Sequence, residues 1–127
     1  MDIPEITRTI AIRVKELRTR QGVTSEQLAD KLREHGVLWD RVRVTKLEKG
    51  HRQHLTVVEM LALSRVLNVA PVHLLVPPTN EGAFQETPGE ACTAPEARDW
   101  IRGDEPLPGT DLRVFRTEVP LSELGRS

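Results

Sequence analysis

Three long cationic side chains lie within six residues near the middle of the sequence: Arg41, Arg43 and Lys46. They alternate with Val44 and Leu47, and at helical spacing the two apolar residues face inward while the cations face outward. A guanidinium group presents a planar fork of donors that fits paired acceptors such as O6 and N7 of guanine. The spacing therefore indicates a surface that hydrogen-bonds to nucleic acid, and a plain solvated helix face is the alternative.

A second set of polar residues flanks this segment and could bind phosphate oxygens. The basic loop of residues 49–54 follows it, where a chain beside an inserted helix would run along the phosphate backbone. Residues 24–27 begin an earlier helix, whose first amides and positive dipole end attract anions. We expect phosphate contacts from Thr24, Ser25, Gln27, Thr45, Lys49, His51 and Arg52. For His51 and Arg52, a solvated loop position is an equally good interpretation.

The sequence has too few suitably spaced residues to form an active site or a metal site. His51 and His54 are three apart without a third ligand nearby, and zinc needs three or four. Cys92 is the one cysteine, and it has no CxxC partner and no histidine placed to activate a thiol. The sequence shows no Ser/His/Asp set, paired carboxylates or phosphate-cradling glycine loop. We therefore expect no enzyme activity, no metal and no cofactor.

Five short helices are predicted to position these residues. Helical periodicity with start and stop signals places them at about 5–20, 25–34, 41–49, 57–68 and 71–76. Thr24 and Thr56 open capping boxes, and Asp40 caps the third helix. Trp39, just before that cap, is expected to plug the core under the third helix. These signals agree on an all-α domain over residues 1–76.

The rest of the chain shows a different pattern. Pro77 and Pro78 end the helical part, and residues 77–92 show no sustained period and are predicted to be loop. Trp100 is expected either to pack on its own chain or to be buried against a second copy. We assign residues 1–76 to the helical domain, 77–127 to a linker and extension, 94–102 to a short helix and 111–119 to a possible strand that would need a partner strand.

The two parts of the chain carry opposite charge. Residues 1–76 contain 13 Lys or Arg and 9 Asp or Glu, a net charge of +4, and residues 77–127 contain 5 and 10, a net charge of −5. A basic part can bind a polyanion, which repels an acidic part. A single cysteine fits a reducing cytoplasm, and no apolar run resembles a signal peptide or a membrane span. We therefore expect a cytoplasmic protein that does not enter a membrane.

As a set, residues 13–76 resemble the helix-turn-helix of the Cro, phage-repressor and xenobiotic-response-element (XRE) family of bacterial regulators. The segments that carry the resemblance are 13–18, 22–24, 27–29, 44–50, 61–64, 67–69 and 74–75. The resemblance implies a five-helix lambda-repressor-like domain, here with a short, acidic, partly irregular C-terminal extension. It also implies a homodimer that binds double-stranded DNA and regulates transcription, and we expect a repressor.

The resemblance implies roles for individual residues as well. The side chains that would face the bases are Arg41, Val42, Arg43 and Lys46, with Val42 able to touch a thymine methyl group. Arg18 and Glu48 would form a partly buried ion pair between the first and third helices. A lone charge on the inner edge of either helix would be costly, which supports such a pair.

The sequence departs from the family pattern in two places. Ser25 stands where the family usually has glutamine, and the turn over residues 33–39 is longer than the family's tight turn. Extended turns of this kind are similar to those of actinobacterial regulators. An alternative function is an antitoxin-like or partner-binding module whose acidic tail, residues 77–127, binds another protein.

Overall fold

The chain folds mainly into helices. This computed structural model describes residues 4–124, and within that range there are seven α-helices, one 3-10 turn and one two-stranded sheet. The chain divides into two compact units, the first ending at Pro77 and the second beginning at Pro78. The predicted all-α class is confirmed, because helices dominate the described residues and their strands form one short hairpin.

Five helices build the first unit. They are α1 (Glu5–Arg20), α2 (Ser25–Glu34), α3 (Arg41–Glu48), α4 (Val57–Val66) and α5 (Pro71–Leu75). Three of them begin at the predicted caps, since Thr24, Asp40 and Thr56 each accept a hydrogen bond from the amide three residues further on. Each cap satisfies an amide that the helix leaves without a partner, so local sequence determines where these helices begin.

The core of the first unit is aliphatic apart from one indole. Val44 and Leu47, the inward residues of α3, are 0% and 1% exposed, and Trp39 is 2% exposed. Burying a side chain of this size contributes roughly 1.5–3 kcal/mol, so the core holds the inner side of α3 firmly. The buried cluster consists of Ile10, Ala11, Val14, Leu17, Leu28, Ala29, Leu32, Val37, Trp39, Val44, Leu47, Leu63, Leu67 and Leu74.

Polar side chains of α1 bind backbone carbonyls of later segments. Arg13 is buried, and its Nε donates to the carbonyl oxygen of His73 in α5 at 3.1 Å. The hydroxyl of Thr7 donates to the carbonyl oxygen of Gln53, in the loop between α3 and α4, at 3.0 Å. Both bonds give a carbonyl the partner that it needs away from water, and they tie α1 to α5 and to the loop after α3.

An ion pair joins α1 to the last residue of α3. Arg18 Nε donates to Glu48 Oε2 at 2.7 Å, and Arg18 Nη2 donates to Oε1 at 2.8 Å. The two side chains are 15% and 7% exposed, so the pair lies largely out of water. The hydrogen bond from Arg18 to Glu48 raises the pKa of the arginine more than burial lowers it. This two-point contact sets the position of the end of α3 relative to α1.

A second polar cluster gathers around the carboxylate of Glu59, at the start of α4. It consists of Trp39, Arg52 and Glu59, and we refer to it as the Glu59 cluster. Trp39 Nε1 donates to Glu59 Oε2 at 2.9 Å, and Arg52 donates from Nη1 and Nη2 to the two carboxylate oxygens at 3.3 Å each. The Arg52 guanidinium also lies over the Trp39 ring, 4.8 Å from its centroid.

The charge state of Glu59 follows from these contacts. Burial is the largest single influence and raises its pKa. The hydrogen bonds from the Thr56 amide and the Trp39 indole, together with the charge of Arg52, outweigh burial and lower the pKa of Glu59 below its ordinary value. Glu59 is therefore held as a carboxylate.

The second unit combines a hairpin with short helical segments. Its elements are β1 (Ala83–Thr87), β2 (Glu90–Thr93), α6 (Ala94–Arg102), α7 (Leu112–Arg116) and a 3-10 turn at Leu121–Glu123. Thr93 caps α6, and Gly103 ends it with a φ of +84°. Glycine adopts this left-handed conformation at little cost, which is why the end of α6 could be read from the sequence.

Residues 77–92 were predicted to be loop, and this is wrong for the hairpin. β1 and β2 pair antiparallel, with Ala83 opposite Thr93 and Phe84 opposite Cys92. In β1 only Phe84 is buried, at 6% exposed. A strand with one buried residue shows no alternation along the sequence, so its pairing becomes visible only in the folded chain.

The strand predicted over about 111–119 is also wrong. Residues 112–116 form α7, and the Asp111 carboxylate accepts a hydrogen bond from the Arg113 amide at 2.9 Å. The Phe115 amide donates to the carbonyl of Asp111 at 3.0 Å, so the turn satisfies its own backbone. A strand would need a neighbouring strand for those groups, and within residues 4–124 this segment has none.

Removing one partner of the Arg18–Glu48 pair should destabilise the first unit. Glu48→Gln leaves a largely buried guanidinium without its counter-charge, and we expect the free energy of unfolding to fall by about 3 kcal/mol. Arg18→Met should cost a similar amount, and the double variant Arg18→Met/Glu48→Leu should cost less than either change alone. Urea unfolding followed by circular dichroism measures all three. The exposed Arg20→Met is the control, and single variants that unfold like wild type would contradict the role given to the pair.

The lowered pKa of Glu59 should make the stability of the first unit depend on acid. Because the folded pKa lies below the unfolded one, the contribution of Glu59 is present above its unfolded pKa and lost as the pH falls through the folded pKa. Between about pH 6 and pH 3, Glu59→Gln should therefore lose less unfolding free energy than wild type. Urea unfolding at each pH tests this, with the exposed Glu26→Gln as control. Equal losses in Glu59→Gln and wild type would refute it.

Candidate nucleic-acid interface

The outer face of α3 carries three of the four predicted base contacts side by side. Arg41, Val42 and Lys46 are exposed, whereas Val44 and Leu47 are buried. Val42 is 50% exposed and leaves its methyl groups on the surface between cationic neighbours. The face thus offers long hydrogen-bond donors together with one apolar side chain, a combination that suits base edges in the major groove of DNA.

A shallow depression of about 200 Å³ lies on this face. It brings together three predicted base contacts and three predicted phosphate contacts, and among the described residues none of those that line it is acidic. A surface of this charge attracts anions over several ångströms. Its lining consists of Arg41, Val42, Thr45, Lys46, Lys49 and His51.

Arg43, the fourth predicted base contact, points to a different neighbour. Its side chain is exposed, and its Nη1 donates to the carbonyl oxygen of Leu38 at 3.0 Å. It does not line the depression. In this structure Arg43 therefore braces the connection that leads into α3, and it would have to leave Leu38 to reach a base.

The start of α3 is set electrostatically by Asp40. Its carboxylate accepts a hydrogen bond from the Arg43 amide at 2.9 Å. That bond is the main influence on the carboxyl and, with the charge of Arg43, lowers the pKa of Asp40 in spite of the opposing effect of burial. The acidic residue that precedes Arg41 is thus engaged as a helix cap.

The phosphate contacts predicted on α2 form a separate group at its first turn. The Thr24 hydroxyl oxygen accepts from the Gln27 amide at 3.1 Å, and the Gln27 side-chain oxygen accepts from the Thr24 amide at 2.9 Å. The cap uses the two oxygens and leaves the hydroxyl hydrogen and the amino group as donors. Thr24 and Gln27 are exposed, Ser25 is partly exposed, and none of the three lines the α3 depression.

Arg52, the last predicted phosphate contact, lies outside the depression as well. It is partly buried in the Glu59 cluster, where Glu59 and the Trp39 ring occupy it. The sequence indicated Glu59 only as the partner in a capping box. Its second role was hidden, because Trp39 is 20 residues away along the chain and nothing local links the two.

The described part of the chain offers neither a metal-binding cluster nor a membrane-spanning helix. Among residues 4–124, no three His, Cys, Asp or Glu side chains are grouped so that they could hold a metal ion. In the same range, every helix is too short or too polar to span a membrane. Cys92 is partly buried on β2, and burial together with the nearby Glu86 raises the pKa of its thiol to about 11.

Comparison with known proteins identifies the helical unit. A family model described as helix-turn-helix matches residues 14–74, about half of the chain. No curated protein and no solved structure gives a significant match. Without a matched relative, the likeness of the long turn to actinobacterial regulators stays a prediction.

The matched segment contains α2 and α3 with the connection between them, and it carries the exposed cations of α3. Residues 14–74 form a helix-turn-helix domain of the Cro and phage-repressor (XRE) family of DNA-binding transcription regulators.

Proposed function

We propose that this protein binds a specific operator as a homodimer, places α3 in the major groove and represses transcription. The observation that carries the proposal is the acid-free depression on the outer face of α3, where cationic and apolar side chains meet. A DNA-binding regulator works where the DNA is, so we propose a cytoplasmic location. The proposal involves no cofactor and no enzymatic step.

In this proposal the bases are read by the exposed residues of α3. Arg41, at the start of the helix, enters the groove first, and Lys46 reaches from one turn further on. Val42 packs against a thymine methyl group. Arg43 joins the set if it exchanges the Leu38 carbonyl for an acceptor on a base. Such an exchange replaces one hydrogen bond by another, so its net cost is small.

Phosphate oxygens are bound on both sides of α3. Lys49 and His51 supply donors from the end of α3 and the loop after it, next to the hydroxyl of Thr45. The start of α2 contributes Thr24, Ser25 and Gln27, with the positive end of the helix dipole behind them. These contacts carry no sequence information, but they hold the helix in register on the duplex.

The size of α3 supports the proposed homodimer. A helix of eight residues reaches only a few base pairs, which gives too little discrimination against the rest of a genome. Two copies related by two-fold symmetry would read two half-sites about 34 Å apart, one helical turn of DNA. We therefore expect a palindromic operator.

A second candidate function concerns the second unit, which we propose as a surface for another protein. It is acidic, and it exposes large apolar side chains: Val114 is 66% exposed and Leu121 is 88% exposed. Acidic surroundings repel DNA, whereas exposed apolar side chains favour a protein partner. DNA binding by the first unit and protein binding by the second are compatible.

If α3 contacts the bases, Arg41→Ala should change both operator affinity and base preference. Sites selected by wild type from a random duplex pool should show a two-fold symmetric motif, and fluorescence anisotropy then gives the affinities. Arg41→Ala should weaken operator binding by roughly 1–3 kcal/mol and relax the base preference at one position of each half-site. Arg65→Ala removes an exposed cation of α4 and serves as the control, which should bind like wild type. Equal affinity and selectivity of Arg41→Ala and wild type would remove α3 from the reading role.

The second candidate predicts an interaction that depends on Leu121. A protein encoded beside this chain should co-purify with it in amounts close to one to one, and Leu121→Lys should abolish that association without changing operator affinity. Arg116→Ala, an exposed cation of the same unit, is the matched control and should keep the association. Co-purification that Leu121→Lys leaves unchanged would rule out this surface.

A further inference from the structure

We infer that Arg52 is a positioning residue and not a phosphate contact, and that Glu59 is the group through which Arg52 and Trp39 hold the two ends of α3. The inference rests on the proposed function only in taking α3 as the reading helix. It assigns to Glu59, a residue on a different helix, control over how α3 is presented.

The Glu59 cluster contacts the chain on both sides of α3. Trp39 directly precedes Asp40, the cap of α3, and Arg52 follows Lys49, its last cap residue, by three positions. Both side chains converge on the same carboxylate, the indole at 2.9 Å and the guanidinium at 3.3 Å. One acceptor on α4 therefore fastens the segments that enter and leave α3.

The Glu59 carboxylate already accepts four hydrogen bonds. Glu59 Oε1 accepts from the Thr56 amide and from Arg52 Nη2, and Oε2 accepts from Trp39 Nε1 and Arg52 Nη1. Each oxygen accepts two hydrogen bonds, so all four lone-pair positions of the carboxylate are used. A fully satisfied network of this kind holds its members in one arrangement.

Releasing Arg52 from the Glu59 cluster would be costly. Its side chain is 27% exposed and that of Glu59 is 15% exposed, so both charges are largely shielded from water. Moving the guanidinium to a phosphate would break the stack on Trp39 and leave a shielded carboxylate without its counter-charge. Lys49 and His51, both exposed, can contact phosphate without any such loss.

The path of the chain out of α3 agrees with this role. Gly50 has a φ of +76°, and the His51 amide donates to the Lys46 carbonyl at 2.8 Å, which turns the chain back at the end of the helix. After that turn, the Thr7 hydroxyl donates a hydrogen bond to the carbonyl oxygen of Gln53. Arg52 thus lies between two fixed points, directed at α4.

The experiment measures operator and scrambled-duplex affinities over a range of salt concentrations for Arg52→Gln, Glu59→Gln and wild type. Positioning predicts that both variants lower the ratio of operator to scrambled affinity by roughly 3- to 30-fold while the salt dependence of wild type is kept. The two changes alter the net charge in opposite directions. An effect of charge alone would therefore weaken binding in Arg52→Gln and strengthen it in Glu59→Gln, and that result would overturn the inference.

Lys49→Gln is the matched variant for a phosphate contact. Loss of one such contact should lower the slope of log affinity against log salt by about 0.9 and weaken both duplexes alike. If Arg52→Gln shows this same signature, Arg52 binds phosphate and the inference is wrong. Arg52→Lys keeps the charge but loses the planar fork and the stack, so positioning predicts that it does not restore the affinity ratio.

A readout without DNA separates this inference from the proposed function. Hydrogen exchange of the free protein should show a larger acceleration for α3 amides than for α1 amides in Arg52→Gln and Glu59→Gln. Uniformly faster exchange across α1 and α3, together with an unchanged affinity ratio, would mean general stability alone and would overturn the inference. If wild type selects no operator, the proposed function fails, and the exchange pattern still decides whether the Glu59 cluster positions α3.

Discussion

A helix of eight residues cannot hold its own shape in water, so whatever α3 does depends on what fixes its ends. Its inner side gives only Val44 and Leu47 to the core. Two buried side chains hold the inner side of the helix against the core but do not by themselves set its direction, because contacts between apolar groups have little directionality. Direction comes from hydrogen bonds, and the bidentate bond of Arg18 to Glu48 provides it at the last residue of α3.

The carboxylates that hold α3 in place also explain why its outer face is positive. Each carboxylate near the helix serves a structural purpose: Asp40 binds the Arg43 amide, and Glu48 binds Arg18. Neither carboxylate lines the depression that holds Arg41, Lys46 and Lys49. A chain with a net charge of −1 can thereby present a local surface without acidic groups. The charge of a binding surface depends on where the acidic side chains lie and what they bind. The net charge of the chain says little about it.

The long connection between α2 and α3 is ordered by donors from both helices. Arg33 of α2 donates to the carbonyl of Trp39 at 2.6 Å, and Arg43 of α3 donates to that of Leu38 at 3.0 Å. Val37 and Trp39 are buried, which fixes the connection from beneath. The extra residues are therefore well-supported structure, because their carbonyls and apolar side chains find partners in the two helices that they join.

The sequence by itself determined the five helices of the first unit, the caps of three of them, the outward cations of α3 and the bounds of α6. Each of these depends on residues within one or two turns of each other, such as Thr24 with Gln27 or Thr93 with Glu96. The pair of Arg18 and Glu48 was expected from a family likeness, with the cost of a lone charge at either position as support. Tertiary structure alone decided that Phe84 lies opposite Cys92, that Asp111 opens a helical turn, and that Arg52 and Trp39 share Glu59. Pairing of strands and sharing of one carboxylate join residues that are distant along the chain, and local periodicity carries no information about which distant groups will meet.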